Sequence, residues 1–535
     1  MPKTIEYVST YSFADIPSLE NVIYDTEEGE YRSLDGILYN KQMTEVIIFP
    51  PAKEGIVTLA SSLTYINPGQ FIGNKTSSFV IENNDKYMAV NDIVYSKDGK
   101  TLIIAPGNKK NVVIKAGTTQ IGQSAFQKNQ AIKSVIINDE LTSIGMNAFK
   151  STSLTEIEFG ARVKIIEDYA FQESKLVNVQ FNESIETIRS YAFSNILSLE
   201  NLVLPGSLKL IDYFSFSYLP SLETITFNEG LETIGAYAFL DNDALQEIRL
   251  PNSLKLIEYN AFNSCEGLEK VYFGEELTNI RFGAFSYCRS LNYVEFGSKI
   301  KVIESDAFSN CAFESFVIPS KVTKISEALL AYNSRLKEIE VHDNVDEIGY
   351  NAFYYCELLE EFTFPPKVQT IAFNTFYNNR NLKKVTFNDR ITAIGSQAFY
   401  NCYALEEIKL GKAVITIYDY AFYQCRSLKN VTLNDGLTTI GYFAFYYCTS
   451  LERVIIPSSV IEIDVMAFGN YPSTLQIFYQ GNAWNSVLGS FYEDNLYYYS
   501  EEPNYTGNYW HYDEGTPRIW EIDEADLQTA NESRN

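Results

Sequence analysis

Leu428 to Ser450 reads LKNVTLNDGLTTIGYFAFYYCTS, and Leu451 begins the same pattern again. Apolar side chains fall at Leu428, Val431, Leu433, Leu437, Ile440, Ala444, Phe445 and Cys448. That spacing matches neither the period of one long helix nor that of one long strand. It suits a chain that turns a corner every few residues and closes one loop in about 23 residues. Each loop has an apolar inner edge that it cannot bury alone, so it needs a loop above and a loop below.

Working outward, the marker Ile-x-x-x-Ala-Phe recurs along most of the chain. Its last position falls at Phe126, Phe149, Phe171, Phe193, Phe216, Phe239, Phe262, Phe285, Phe308, Leu330, Phe353, Phe376, Phe399, Phe422, Phe445 and Phe468. Every step is 22 or 23 residues. The expectation is a ladder of stacked rings, each contributing ~1.5–3 kcal/mol by burial, with a further ring–ring term for offset or edge-on contact.

Between markers lies Leu-x-x-Val/Ile-x-Phe/Leu, as in Leu222-Ile225-Phe227 and Leu382-Val385-Phe387. Its alternating end reads as a short strand, and successive coils would set these strands into one parallel sheet. Pro205, Pro251, Pro319, Pro365 and Pro457 follow the strand directly, where proline ends it at little cost. Glycines 235, 349, 395 and 441 follow the marker isoleucine and suggest a bend there. The Ala-Phe segment is expected as one helical or tight turn on the opposite side. The predicted fold is a leucine-rich repeat solenoid of the strand-rich α/β class, with a parallel sheet on one face and short or helical turns on the other.

Residues 1–110 are less regular. Phe71 fits the marker from Ile66, and Phe13 fits loosely from Val8. YRSLDGILYNKQMTEVIIFP (31–50) and YMAVNDIVYSKDGKTLIIAP (87–106) align without a gap, 56 residues apart. Each reads as a β-hairpin, a strand to Tyr39 or Tyr95 and a return through Val46–Ile48 or Leu102–Ile104, inserted as an excursion from the coils. Residues 111–480 form the regular solenoid. Trp484, Trp510 and Trp520 all lie beyond it, and 481–520 reads as an aromatic cap. The acidic stretch 521–535 is expected to fray. Because the first coil is incomplete, further sequence is expected upstream of Met1.

The 535 residues carry a formal net charge of -26, which argues against nucleic acid and anionic membranes as partners. No apolar run reaches membrane-spanning length, and no signal-peptide pattern follows Met1. With the marker extended to Ile-x-x-x-Ala-Phe-x-x-Cys, as in LEEIKLGKAVITIYDYAFYQCRS (405–427), the chain resembles the BspA-like family of leucine-rich repeats over roughly residues 55–480. The resemblance implies a secreted or surface-displayed binding protein, linked to adhesion. It brings no catalytic residues and no cofactor.

All seven cysteines, Cys265, Cys288, Cys311, Cys356, Cys402, Cys425 and Cys448, stand three residues after the marker ring, a position held elsewhere by Asn74, Asn129, Asn242, Asn333, Asn379, Thr152 and Ser174. A small, buried, weakly polar slot that meets backbone groups is the preferred reading, against a disulfide or redox role. His342 and His511 are the only histidines, which leaves little for a His-dependent triad or a zinc site. Tyrosines flank the marker at Tyr287, Tyr332, Tyr354, Tyr355, Tyr377, Tyr400, Tyr423, Tyr446 and Tyr447, and precede it at Tyr350, Tyr420 and Tyr442. Stacked coils would align them on one flank. Such rings are frequent at interfaces, or they pack on each other and bind nothing.

The favoured function is a non-enzymatic binding or adhesion protein at the cell surface or exterior, monomeric, offering many modest contacts to a protein or glycan. Tyr354, Tyr355, Tyr377, Tyr400, Tyr423, Tyr446 and Tyr447 would carry those contacts, or else the exposed strand positions Thr363, Thr386, Lys409 and Thr432. Direct membrane insertion is not expected. If the sequence is complete, the location is cytoplasmic and the alternative is an intracellular interaction scaffold. A third reading places an enzyme site near Trp510, His511 and Asp513.

Overall fold

The computed structural model describes residues 5–9, 16–24, 29–464, 466–481, 496–502 and 508–520. Phe13, Trp484 and 521–535 lie outside them. Two compact units divide the chain: Met1–Thr278 with Tyr287–Gly297, and Asn279–Ser286 with Ser298–Asn535.

In the first unit each regular coil contributes two strands rather than one. The expected strands pair in parallel, as Asn201–Leu204 does with Thr224–Phe227. The second strand is the marker isoleucine with its preceding residue. Gln120–Ile121, Ser143–Ile144, Ile165–Ile166, Thr187–Ile188, Leu210–Ile211, Thr233–Ile234 and Leu256–Ile257 form an unbroken parallel ladder. Two residues are too few to show alternation in a sequence, so only the isoleucine betrays this strand.

The segments 31–50 and 87–106 each hold the expected hairpin, with one further strand before it that makes a three-stranded antiparallel meander. Tyr31–Leu34 pairs with Ile37–Asn40, which pairs with Val46–Ile48. Tyr87–Val90, Ile93–Ser96 and Thr101–Ile104 repeat the arrangement. The extra strand turns through Asp35-Gly36 in one and Asn91-Asp92 in the other, all four at positive φ, the geometry of a tight two-residue turn. The second meander is not an excursion. Its last strand pairs in parallel with Gln120–Ile121, so it begins the isoleucine ladder and covers its open edge.

The second unit repeats both strand types. Thr370–Ile371, Ala393–Ile394, Thr416–Ile417, Thr439–Ile440 and Glu462–Ile463 form one ladder. Glu407–Lys409, Asn430–Thr432, Arg453–Ile456 and Gln476–Tyr479 form the other. Leu496–Tyr499 and Tyr509–Asp513 then add to that sheet in parallel, and Thr516–Ile519 closes it antiparallel. Trp510 is fully buried there, its indole N–H donating to the Tyr479 carbonyl at 3.0 Å.

The Ala-Phe side carries tight turns, with no α-helix among the described residues. From the Phe126 coil to the Phe468 coil, the residues two before and two after the marker ring both have left-handed φ, as at Tyr420 and Gln424 around Phe422. This conformation costs roughly 1–2 kcal/mol for a residue with a Cβ, and no β-branched residue occupies it. The return is a third set of bonds between coils. The N–H groups of Tyr420, Phe422 and Gln424 donate to the carbonyls of Tyr442, Ala444 and Tyr446 at 2.7–2.8 Å. A helix would have directed those N–H groups along its own axis instead.

The glycines after the marker isoleucine also sit close to the neighbouring coil. A Cβ on Gly235 would lie 2.8 Å from the Ile211 carbonyl oxygen, and one on Gly395 2.6 Å from that of Ile371.

Candidate binding surface

The marker rings stand over one another inside each unit. In the first, Phe126, Phe149, Phe171, Phe193, Phe216, Phe239 and Phe262 stack at 4.8–5.5 Å between centroids. In the second, Phe285 stacks on Phe308 at 5.5 Å. Phe353, Phe376, Phe399, Phe422, Phe445 and Phe468 continue at 4.9–5.4 Å. Parallel planes at such separations are offset stacks.

The cysteines fill one recurring slot. Cys425 Sγ donates to the Phe399 carbonyl at 3.3 Å, and Cys265, Cys288, Cys311, Cys356, Cys402 and Cys448 do the same to the marker carbonyl 26 residues earlier. Asn242 and Asn333 replace the thiol with an amide Nδ2 that reaches Phe216 and Phe308 at 3.0 and 2.8 Å. No disulfide joins the seven thiols, and all are buried. Burial pushes the Cys425 thiol well above its ordinary pKa, with Cys448 and Cys402 adding to the effect. A thiol held protonated in this way is a poor nucleophile and a poor metal ligand.

Outside the phenylalanine column runs a second one. Tyr354, Tyr377, Tyr400, Tyr423 and Tyr446, each following its marker ring, stack at 4.9, 4.6, 4.5 and 5.7 Å. Tyr355, at positive φ, stacks on Tyr332 at 5.3 Å. Tyr447, also at positive φ, stands edge-on to Tyr446 and is 41% exposed. The five column rings are half-buried. Burial first, then neighbouring phenols, raises the pKa of Tyr354 and of Tyr400 to about 12. The column is therefore an ordered, neutral, amphipathic strip. The alternative contacts, Thr363, Thr386, Lys409 and Thr432, are exposed on their strands.

The residues of the enzyme reading do not converge. His511 lies flat on Trp520 at 3.7 Å, and Asp513 pairs with Arg518 at 2.8 Å. His342 accepts from the Asn344 N–H at 3.2 Å and lies 3.0 Å from the Pro319 carbonyl, built into a turn. Among the described residues no group of three His, Cys, Asp or Glu is placed to hold a metal, and no helix is long and apolar enough to cross a membrane.

Coil geometry, marker and cysteine slot now stand together. The BspA type leucine rich repeat region matches in six overlapping copies, the first over residues 106–219 and the last over 392–498. The chain belongs to the BspA-type leucine-rich repeat family. A leucine-rich repeat protein from Bacteroides ovatus shares the fold of this BspA-type chain, with 20% identity, a TM-score of 0.56, and coverage of 85% of this chain and 100% of the other. A leucine rich cell surface protein from Faecalibacterium prausnitzii aligns at 23% identity and TM-score 0.37, covering 68% and 93%. The pneumococcal vaccine antigen PcpA aligns at 16% and 0.36, covering 87% and 94%. No curated protein matches. The BspA-type repeat is a fold suited to protein–protein interaction.

Sequence reasoning placed Tyr350 among the tyrosines before the marker ring but missed Phe282 and Phe373, which belong with it. Phe282, Tyr350 and Phe373 each stand two residues after a marker isoleucine and are 42–57% exposed. Their common distance from the marker was the available signal.

Proposed function

We propose that the protein is a non-enzymatic binding protein of the cell surface or exterior, and that its tyrosine column contacts a protein or glycan partner. The observation that carries this reading is the continuous stack from Tyr354 to Tyr446. Rings already ordered by stacking lose little conformational entropy when a partner arrives, and their phenol edges offer both donors and acceptors. Repetition multiplies a modest contact along the column. The exterior location is supported by the family resemblance, which implies secreted and surface-displayed proteins.

The test is binding to protein and glycan arrays by the wild-type chain and by the variant with Tyr354, Tyr400, Tyr423 and Tyr446 all changed to Ser. Signals lost in the variant support the column; signals unchanged reject it. Antibody labelling of intact and lysed cells tests the location, and labelling confined to lysed cells would favour the intracellular scaffold.

A further inference from the structure

The second unit carries a groove of about 750 Å³ on the outward side of its marker-isoleucine strands. The residue after the marker isoleucine is small in four successive coils: Ser326, Gly349, Ala372 and Gly395. A Cβ on Gly349 would lie 2.7 Å from the Glu327 nitrogen, so the floor is close-packed backbone. Glu304 bounds this run at one end and Tyr418 at the other. Phe282, Tyr350 and Phe373 rise beside it, and with Tyr418 they are 42–57% exposed. Unlike the tyrosine column, these four rings touch no other aromatic ring among the described residues. Four exposed rings around one concavity are more than the scattered apolar residues of an ordinary surface.

The charge of the groove is one-sided. Three carboxylates, Glu304, Glu327 and Glu347, face one ammonium, Lys324. Lys324 is occupied by Glu347 at 2.8 Å. Glu304 is held in place by the Phe282 backbone N–H at 3.1 Å, and neither it nor Glu327 has a cationic partner among the described residues. Both lie between the two aromatic walls, on the coils that separate Phe282 from Tyr350. At about 4.8 Å per coil those walls stand roughly 14 Å apart.

We infer that this groove binds an extended cationic peptide, rich in proline and in arginine or lysine. Rings stack on proline and on the stems of basic side chains, while Glu304 and Glu327 receive the cations. Lys324–Ile325 pairs with Glu347–Ile348, and Thr370–Ile371 with Ala393–Ile394, so these strands already have partners and a ligand is read through its side chains. A polyproline II segment meets that demand, and about 14 Å spans four to five of its residues at 3.1 Å each. A neutral glycan could use the rings but would desolvate two carboxylates without compensation. The inference rests on the binding reading above only in taking the protein as a binder, since no residue of the tyrosine column lines the groove.

The test is fluorescence anisotropy of a labelled alternating Pro-Arg decapeptide with the full chain. The variants are Tyr350→Ser with Phe373→Ser, which keeps the charge, Glu304→Gln with Glu327→Gln, and Tyr400→Ser with Tyr423→Ser. Saturable binding is expected, weakened at least about tenfold by either groove variant, unchanged by the column variant, and absent for a Pro-Glu decapeptide. The inference is overturned by no saturable binding, by equal binding to wild type and both groove variants, or by displacement of the peptide by chitohexaose. Because the column test uses other residues, failure here leaves that reading standing.

Discussion

The rings of Phe399 and Phe422 lie 5.1 Å apart with planes 1° from parallel, and both are fully buried. They are 23 residues apart in sequence, one coil, and the Phe399 N–H donates to Ala421 at 2.7 Å. Side-chain stacking and the turn ladder therefore hold the same register. Phe399→Ala empties a slot between two rings that inter-coil bonds keep from closing. The expected loss is about 3–5 kcal/mol, as for other buried aromatics, read by urea denaturation followed by far-UV circular dichroism. A loss under about 1 kcal/mol would place the ring outside a packed column.

Asn379 occupies the cysteine slot fully buried, yet neither its Nδ2 nor its Oδ1 finds a partner. In the next coil Cys402 reaches the Phe376 carbonyl at 3.3 Å. Asn379→Cys removes an unsatisfied amide and supplies a donor of the right reach. The expected gain is about 1–2 kcal/mol, and denaturant midpoints of the two proteins measure it.

The seven thiols should be silent in the folded protein. A negatively charged disulfide reagent such as Ellman's should modify none of them in minutes under native conditions and all seven in guanidinium, because each is buried and none is in a disulfide. Rapid native labelling of Cys425 or Cys448 would mean an open slot.

Tyr354 and Tyr400 titrate near pH 12 in the fold against about 10 for a free phenol. A pKa raised by folding favours the neutral form, so this stabilisation is complete below pH 10 and is lost as pH rises from 10 through 12. Absorbance at 295 nm should show these phenolates forming only above pH 11, and Tyr400→Phe should remove amplitude from that late phase. Loss of amplitude near pH 10 instead would mean a solvated ring.

The 23-residue period was legible because every coil needs the same apolar inner edge, so Ile440, Phe445 and Cys448 recur where Ile417, Phe422 and Cys425 stood. The two-residue strand at each marker isoleucine was not, because its evidence is pairing with another coil. The third strand of each meander was announced by Asp35-Gly36 and Asn91-Asp92, a turn chemistry passed over in favour of one longer strand. Left-handed turns were foreshadowed by asparagine at Asn147, Asn260, Asn351 and Asn374, all two residues before a marker ring. The groove needed the residues after four isoleucines to be read side by side. Gly349 and Gly395 stood out only as a bend signal, and register alone makes a floor of Ser326, Gly349, Ala372 and Gly395.

The surface readings depend on equivalent positions of neighbouring coils lying side by side, as Tyr400 and Tyr423 do at 4.5 Å. Pyrene attached to Tyr400→Cys with Tyr423→Cys, the native thiols being shielded, tests this most directly. Strong excimer emission is expected from that pair and none from Tyr354→Cys with Tyr446→Cys, four coils and roughly 19 Å apart at about 4.8 Å per coil. Monomer emission from the first pair, or equal excimer from both, would contradict the stacked register.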